Sequence, residues 1–524
     1  MTGVAHTMFR HLLVNTVASA SAFATVTFVG FFLVPVLVGA YGLAEFGLIV
    51  LARVLLPTGL MSLFDFGFSE LATQSVAAAR ETSEWERASR EVSILLALSV
   101  SVGLAMALLL TTSADAISTL FKVGGDGAIS FPNVVRATGI ALAVLFPALV
   151  LEGVVKGFAA FRSLRLIEIA CTLAYAAAAV AFVAGGLSYA AIAYAFLAST
   201  LLRAGLIAAN AIRAGLGSKI RMFRPRGWEE LGRMLSRCKL MAQNRLLGVL
   251  QGPAQAPLVG ALLGPTSVAI YDVLVRVPRF AKSAVALLGS ALLPVAARLD
   301  AANDSVRMTK LANWGMLLCV ATAIPPLMGA AVMSEPLLRL WVGSHFAVYW
   351  YWHALMFIVP IASTLVGFGL TALLVRPHVL PRTNAIVAIQ VAVQYALAFF
   401  ALGLLQERAF LLAQAVAAAA FCPLLLNIVI KEHRMEEAVL RRVAAILAIG
   451  LATAVVYYLL RDPRQIQSWS RLGLEFSLWC VASWAATWLG VLDRSQRKSL
   501  RSVLPLTLQL RSIVLRGDGT GRGA

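Results

Sequence analysis

Charge is scarce in this sequence: only 13% of its 524 residues are Asp, Glu, Lys or Arg, against about a quarter in soluble globular chains. Acidic residues are the scarcer kind, 25 against 44 Lys and Arg, for a formal net charge of +19. With 60% hydrophobic residues and a mean hydropathy of +0.84, a water-soluble globule is excluded and a polytopic membrane protein is indicated. Cysteine is sparse as well. Cys171, Cys238, Cys319, Cys422 and Cys480 stand singly in or beside apolar segments, without the spacing of a disulfide framework or a zinc site, so no metal is expected. The sequence contains no HExxH, Walker A, GxSxG or dinucleotide fingerprint, which argues against a motor ATPase or a familiar hydrolase. We expect no cofactor and no enzymatic activity. A basic, water-facing domain is missing too, so the positive charge does not point to nucleic acid.

What is present is a succession of apolar runs of about 20 or more residues. They begin near His11, Leu48, Val92, Asn133, Leu166, Ser188, Leu240, Ser267, Leu311, Tyr351, Thr383, Ala409, Val439 and Leu472. The expected fold is all-α, with about fourteen transmembrane helices. Arg10 followed by LLVNTVASASA imitates a short signal peptide, but the apolar run continues to about Ala40 and is long enough to span. Lys and Arg concentrate on alternate loops, such as Arg80/Arg87/Arg90, Lys156/Arg162/Arg165, Arg213 to Lys239 and Lys431 to Arg442. By the positive-inside rule both termini are expected in the cytoplasm. The domain plan is an N-lobe of six helices (1–213), a basic cytoplasmic linker (214–239), a second six-helix lobe (240–433), two further helices (434–492) and a basic cytoplasmic tail (493–524). Trp228 to Lys239 and the tail read equally as interfacial helices on anionic lipid or as plain connections.

The chemistry concentrates in Tyr271 to Ser283, YDVLVRVPRFAKS, where Asp272, Arg276, Arg279 and Lys282 interrupt a spanning helix. Cations at bilayer depth are costly and mark function. At about 100 degrees per residue, Asp272, Arg276, Arg279, Ser283 and Ser290 share one stripe, with Lys282 at its edge. An earlier segment echoes this one: LVGA at Leu37–Ala40 leads to Arg53-Val54 as LVGA at Leu258–Ala261 leads to Arg276-Val277. Helix seven carries an amide stripe, Asn244, Gln251 and Gln255 beside Gly248, suited to sugar hydroxyls because an amide both donates and accepts. Pro253 and Pro257 mark a hinge there, or an ordinary kink with GxxxG packing of Gly248 and Gly252. At about 1.5 Å per residue, Arg245 lies roughly 8 Å in from the cytoplasmic end and Arg53 roughly 8 Å in from the outer end, so the cations make a ladder. The alternative is a structural Asp272–Arg276 ion pair with Arg53 and Arg245 reaching for the interfaces. Asp65, about 120 degrees from Arg53 on a continuous helix, suits ion coupling or a helix contact. Asp272 is the other ion-coupling or counterion candidate. Glu152 and Glu168 sit near cytoplasmic helix ends, and His345 and His353 read as exposed loop residues.

FLVPVLVGAYGLAEFGLI (Phe32–Ile49), LFDFGFSELATQSVA (Leu63–Ala77), LVGALLGPTSVAIYDV (Leu258–Val273) and PLLRLWVGSHF (Pro336–Phe346) resemble the polysaccharide flippases, the Wzx type within the MATE-like multidrug, oligosaccharidyl-lipid and polysaccharide transporter superfamily. The resemblance covers essentially the whole chain through loose glycine, tyrosine and apolar patterns. It implies two six-helix lobes that rock around a central cavity and carry a polyprenyl-pyrophosphate-linked oligosaccharide across a bacterial inner membrane. It also implies that Arg53 and Arg276 hold the pyrophosphate, with Arg279, Lys282 and Arg245 beside them. Anionic lipids and the polysaccharide polymerase and glycosyltransferase machinery are the further expected partners. A multidrug exporter of the same fold and a membrane glycan polymerase or ligase are the alternatives. The sequence departs from the lipid II flippases in having Asn15 and Ser19, not arginine, deep in helix one, which argues against a peptidoglycan precursor.

Overall fold

The computed structural model of the chain describes residues 2–125, 127–221, 228–290, 304–373 and 379–491. These form helices and connecting turns, with one isolated bridge between Leu216 and Ile220. In chain order the helices are α1 (Thr2–Val54), α2 (Phe68–Thr82), α3 (Trp85–Thr112), α4 (Ala114–Leu120), α5 (Gly127–Gly157), α6 (Phe161–Ala184) and α7 (Tyr189–Ala214). The second half adds α8 (Trp228–Gln251), α9 (Gln255–Leu263), α10 (Pro265–Ser290), α11 (Ser305–Val332), α12 (Ser334–Trp341), α13 (Trp350–Met356), α14 (Ile358–Leu373), α15 (Leu380–Leu405) and α16 (Glu407–His433). Two more, α17 (Glu437–Leu460) and α18 (Trp469–Gly490), pack against α11, where the Trp479 indole donates to the Pro325 carbonyl at 2.8 Å.

Among the described residues ten helices are long and apolar enough to cross a membrane, and eleven if the bent pair Arg245–Gln251 and Gln255–Leu263 is one span. All fourteen expected starts fall on or beside helices, and the shortfall has local causes. The second expected helix is cut in two. Its first part ends at Val54, a 3-10 turn covers Leu60–Phe64, and α2 begins only after Gly67, which is left-handed at φ 78. The seventh bends by 48° at Gly252-Pro253-Ala254, where proline removes a donor from the helical ladder. α10 carries Asp272, Arg276, Arg279 and Lys282, and α18 carries Arg471 and Glu475. Trp228 to Lys239 is the first half of α8 and runs on into helix seven without a break. The tail from 493 lies outside the described residues.

The sequence echo has a structural counterpart. After the first LVGA the chain turns at Gly42 (φ 73, ψ −178), and after the second at Gly264 (φ 90, ψ 177). Both glycines occupy a backbone region closed to residues with a Cβ, and both open a helix that leads to an arginine. The two helices so started meet face to face. A Cβ on Gly47 would lie 1.9 Å from the Pro265 carbonyl oxygen, so only glycine lets the backbones approach. Close packing of this kind holds helices together in lipid, where burial of apolar surface supplies little drive. Around this contact one continuous core joins Leu37, Phe46 and Ile49 of α1 to Val268, Tyr271 and Leu274 of α10. Three contacts between the sequence halves reinforce it. Lys122 Nζ donates to the Leu262 carbonyl at 2.6 Å, Trp341 Nε1 donates to the Phe31 carbonyl at 2.7 Å, and the Phe31 and Trp341 rings stack at 4.6 Å.

Candidate functional site

Three adjoining cavities lie inside the bundle. The central one, about 650 Å³, is bounded by α1, the break after Val54, the bend between α8 and α9, and α10. Among the described residues its ionisable lining is Arg53, Arg276, Arg279, Lys282 and Asp272, four cations to one carboxylate. Such an excess in a low-dielectric setting makes the cavity strongly attractive to an anion.

The four cations are not equivalent. Arg276 and Asp272 are a buried ion pair at i, i+4, their side chains only 11% and 9% exposed. Arg276 Nε donates to Asp272 Oδ2 at 3.0 Å, Nη2 donates to the same oxygen, and Nη1 donates to the Gly30 carbonyl at 3.1 Å. Arg276 is thus largely occupied in tying α10 to α1, in line with the structural ion-pair reading of the sequence. Arg279 and Lys282, on the next turn and a half, are exposed to the cavity. Neither has a carboxylate within ion-pair distance among the described residues, and Arg279 lies beside the Tyr271 hydroxyl. Arg53 closes α1 with its guanidinium 4.3 Å from the Phe196 ring centre and 5.6 Å from that of Tyr175. This cation–π seat holds the charge in place without neutralising it.

Arg245 does not join the ladder. It faces a second cavity of about 590 Å³ and pairs with Asp65 at 3.3 Å and with Glu70. The helical phase between Arg53 and Asp65 loses its meaning, because the helix is broken between them. The same cavity holds Glu152, paired to Lys156 at 2.9 Å and Arg203 at 3.3 Å, so its acids and bases largely cancel. Glu168 pairs with Arg165 at 2.7 Å.

Of the helix-seven amides, Gln255 is fully buried and consumed by the fold. Its Nε2 donates to the Gln251 carbonyl at 3.0 Å and its Oε1 accepts from the Tyr271 hydroxyl. It bolts the bend to α10 and is not available to a sugar. Gln251 lines both the central cavity and a third one, while the Asn244 side chain lies outside the described residues. Pro253 stands at the bend, whereas Pro257 sits in the first turn of α9, where its missing N–H is tolerated. A Cβ on Gly248 would meet no atom of another element within 4 Å, and the residue borders cavity, so it is not a helix-packing glycine. His345 is exposed as expected. His353 is not a loop residue: it is fully buried in α13, with Nδ1 2.8 Å from Ser334 Oγ.

The third cavity, about 290 Å³, lies among α14, α15 and α16 and was not foreseen. Gln390 and Gln394, one helical turn apart on α15, line it with Gln414 and Thr364. Their i, i+4 spacing in an apolar span was the signal available in the sequence.

Residues 41–351, more than half of the chain, match the family model described as polysaccharide biosynthesis protein. The chain belongs to this family. No curated protein matches the chain in sequence. Among solved structures it is similar to lipid II flippase MurJ in an inward closed conformation, with TM-score 0.71 and 14% identity over 92% of this chain and 100% of that one. It is also similar to an inward-facing multidrug resistance MATE family transporter of the MOP superfamily, with TM-score 0.60 and 12% identity over 80% and 98%. A MOP superfamily transporter from Pyrococcus furiosus, whose structure is described by a binding pocket of reverse polarity, aligns at TM-score 0.56 and 11% identity over 81% and 95%. At these identities the likeness is one of fold, and with ten helices among the described residues long and apolar enough to span, the chain is a multi-pass membrane protein.

Proposed function

We propose that this protein moves a polyprenyl-diphosphate-linked oligosaccharide from the inner to the outer leaflet of a bacterial inner membrane, for the assembly of a surface polysaccharide. Both termini face the cytoplasm in this reading, no covalent chemistry is performed, and the two lobes rock around the central cavity. The observation that carries the proposal is the pair Arg279 and Lys282, exposed to the central cavity without a carboxylate partner among the described residues. Guanidinium and ammonium donors match the oxygens of a diphosphate, and Arg53, seated on Phe196, extends the same field. Family membership supports the glycan, and the fold supports transport. A multidrug exporter of organic cations is disfavoured, since the central carboxylate is paired to Arg276 and Asp65 is paired to Arg245.

The test is leaflet exchange of a fluorescent polyprenyl-diphosphate sugar in proteoliposomes. Loss of two charge-assisted hydrogen bonds, about 1.5–3 kcal/mol each, lowers exchange at limiting substrate by more than about a hundredfold in the Arg279→Ala/Lys282→Ala variant. Unchanged exchange in a folded double variant overturns the proposal, as does equal exchange in protein-free liposomes.

A further inference from the structure

The diphosphate reading leaves the third cavity without a role, and its chemistry differs from that of the other two. Among the described residues Lys282 is its only ionisable side chain apart from cysteine thiols; the remaining polar groups are amides and hydroxyls. One of these amides has a buried atom without a partner, and another makes no hydrogen bond at all among the described residues. Gln394 is 3% exposed and its side chain makes no hydrogen bond among the described residues. Gln414 donates through Nε2 to the Gln251 carbonyl at 3.3 Å, but its Oε1 is buried without a partner. Gln251 Nε2 reaches Gln390 Oε1 only at 3.4 Å, a weak contact. A buried amide atom left without a partner costs about 1–3 kcal/mol, so Gln414, with the unbonded Gln394 and the weakly paired Gln390 facing the same cavity, is poised for a ligand rich in hydroxyls.

The cavity also has a direction. Lys282, Gln251 and Gln414 line both it and the central cavity, so a molecule whose charged end rests on Arg279 and Lys282 has its next group among the glutamines. Apart from the hydroxyls of Ser363, Thr364 and Thr371 the rest of the wall is apolar, with Phe368 and Val366 offered to the C–H faces of a ring. We propose that the glutamine-lined cavity among α14, α15 and α16 is a subsite for the sugar joined to the diphosphate, and that it accepts an uncharged pyranose in preference to a uronic acid. This rests on the diphosphate reading of the central cavity. Amides supply a donor and an acceptor to each sugar hydroxyl, whereas a further carboxylate would be desolvated beside a lysine already engaged by phosphate.

The experiment is isothermal titration calorimetry on the full chain in nanodiscs with three water-soluble probes of equal lipid length. These are farnesyl methyl diphosphate, farnesyl diphosphate N-acetylglucosamine and farnesyl diphosphate glucuronic acid. The N-acetylglucosamine probe is expected to bind about tenfold more tightly than the methyl-capped probe, which carries the same phosphate charge, and the glucuronic acid probe no more tightly. Gln390→Leu/Gln394→Leu brings the N-acetylglucosamine probe to the methyl-capped level and leaves the methyl-capped affinity unchanged. Equal affinities of the methyl-capped and N-acetylglucosamine probes for the wild type overturn the sugar subsite and leave the cationic site standing. A glucuronic acid probe that binds as tightly as the neutral one overturns the selectivity, and no binding by any probe overturns both readings. The wild-type comparison decides the matter even where the double variant fails to fold.

Discussion

Replacing Arg276 separates a structural role from a transport role within one helix. Arg276 and Asp272 are each about nine-tenths buried, and Arg276 also holds the Gly30 carbonyl at 3.1 Å. Removing one member of such a pair leaves an uncompensated charge in a low-dielectric site, at a cost of about 3–5 kcal/mol. Removing both, as Arg276→Met with Asp272→Leu, restores a packed apolar contact and is expected to lie within about 1 kcal/mol of the wild type. Adding Asp272→Leu to Arg276→Met is therefore expected to recover at least about 2–4 kcal/mol of the single-variant loss. By contrast Arg279→Ala removes an exposed side chain without an ion-pair partner and is expected to change stability by less than about 1 kcal/mol while depressing transport. The assay is SDS-induced unfolding in mixed micelles followed by circular dichroism, run beside leaflet exchange on the same preparations. An Arg276→Met variant as stable as the wild type, or one that Asp272→Leu fails to rescue, refutes the structural assignment of the pair.

Arg245→Ala strands Asp65, whose Oδ1 is already unpartnered, and is expected to cost more stability than Glu70→Gln, since Glu70 is 44% exposed and its pairing is worth about 0–1 kcal/mol. Adding Asp65→Asn to Arg245→Ala recovers part of the loss in the same unfolding titration. Gly47→Leu forces α1 away from the Pro265 carbonyl and is expected to cost at least about 1–3 kcal/mol, read as loss of the monodisperse peak in size-exclusion chromatography. Phe196→Leu removes the nearer ring of the Arg53 seat; a loss of about 0.5–2 kcal/mol in the unfolding titration checks the cation–π contribution.

Much of the architecture was legible because a bilayer imposes simple demands. An apolar run long enough to span must be helical to satisfy its backbone, so the helices follow from hydropathy. The repeated LVGA was legible too, and its meaning became clear once Gly42 and Gly264 were seen at matching turns. The polar stripe of α10 was placed correctly as a stripe, but its members divide. Arg276, paired to Asp272, reaches α1, while Arg279, Lys282 and Ser283 are exposed. Helical phase tells which residues share a face and says nothing of what that face meets. The same limit explains Gln255, which lies on the amide stripe yet is spent on Tyr271, and His353, which reads as a loop residue and is buried in a short helix. Asp65 was misplaced relative to Arg53 because Pro57, Gly59 and Gly67 break a span that its hydropathy presents as continuous.

By itself the sequence determined that this chain is a helical membrane protein with unneutralised cations in a spanning segment, since composition and spacing fix solvent preference and local periodicity. Only the tertiary structure decided which cations stay free. Pairing depends on helices far apart in the chain: Gly30 reaches Arg276, Asp65 and Glu70 reach Arg245, and Phe196 seats Arg53. The glutamines of α15 and α16 likewise share a cavity with Lys282 only because the bundle brings their faces together.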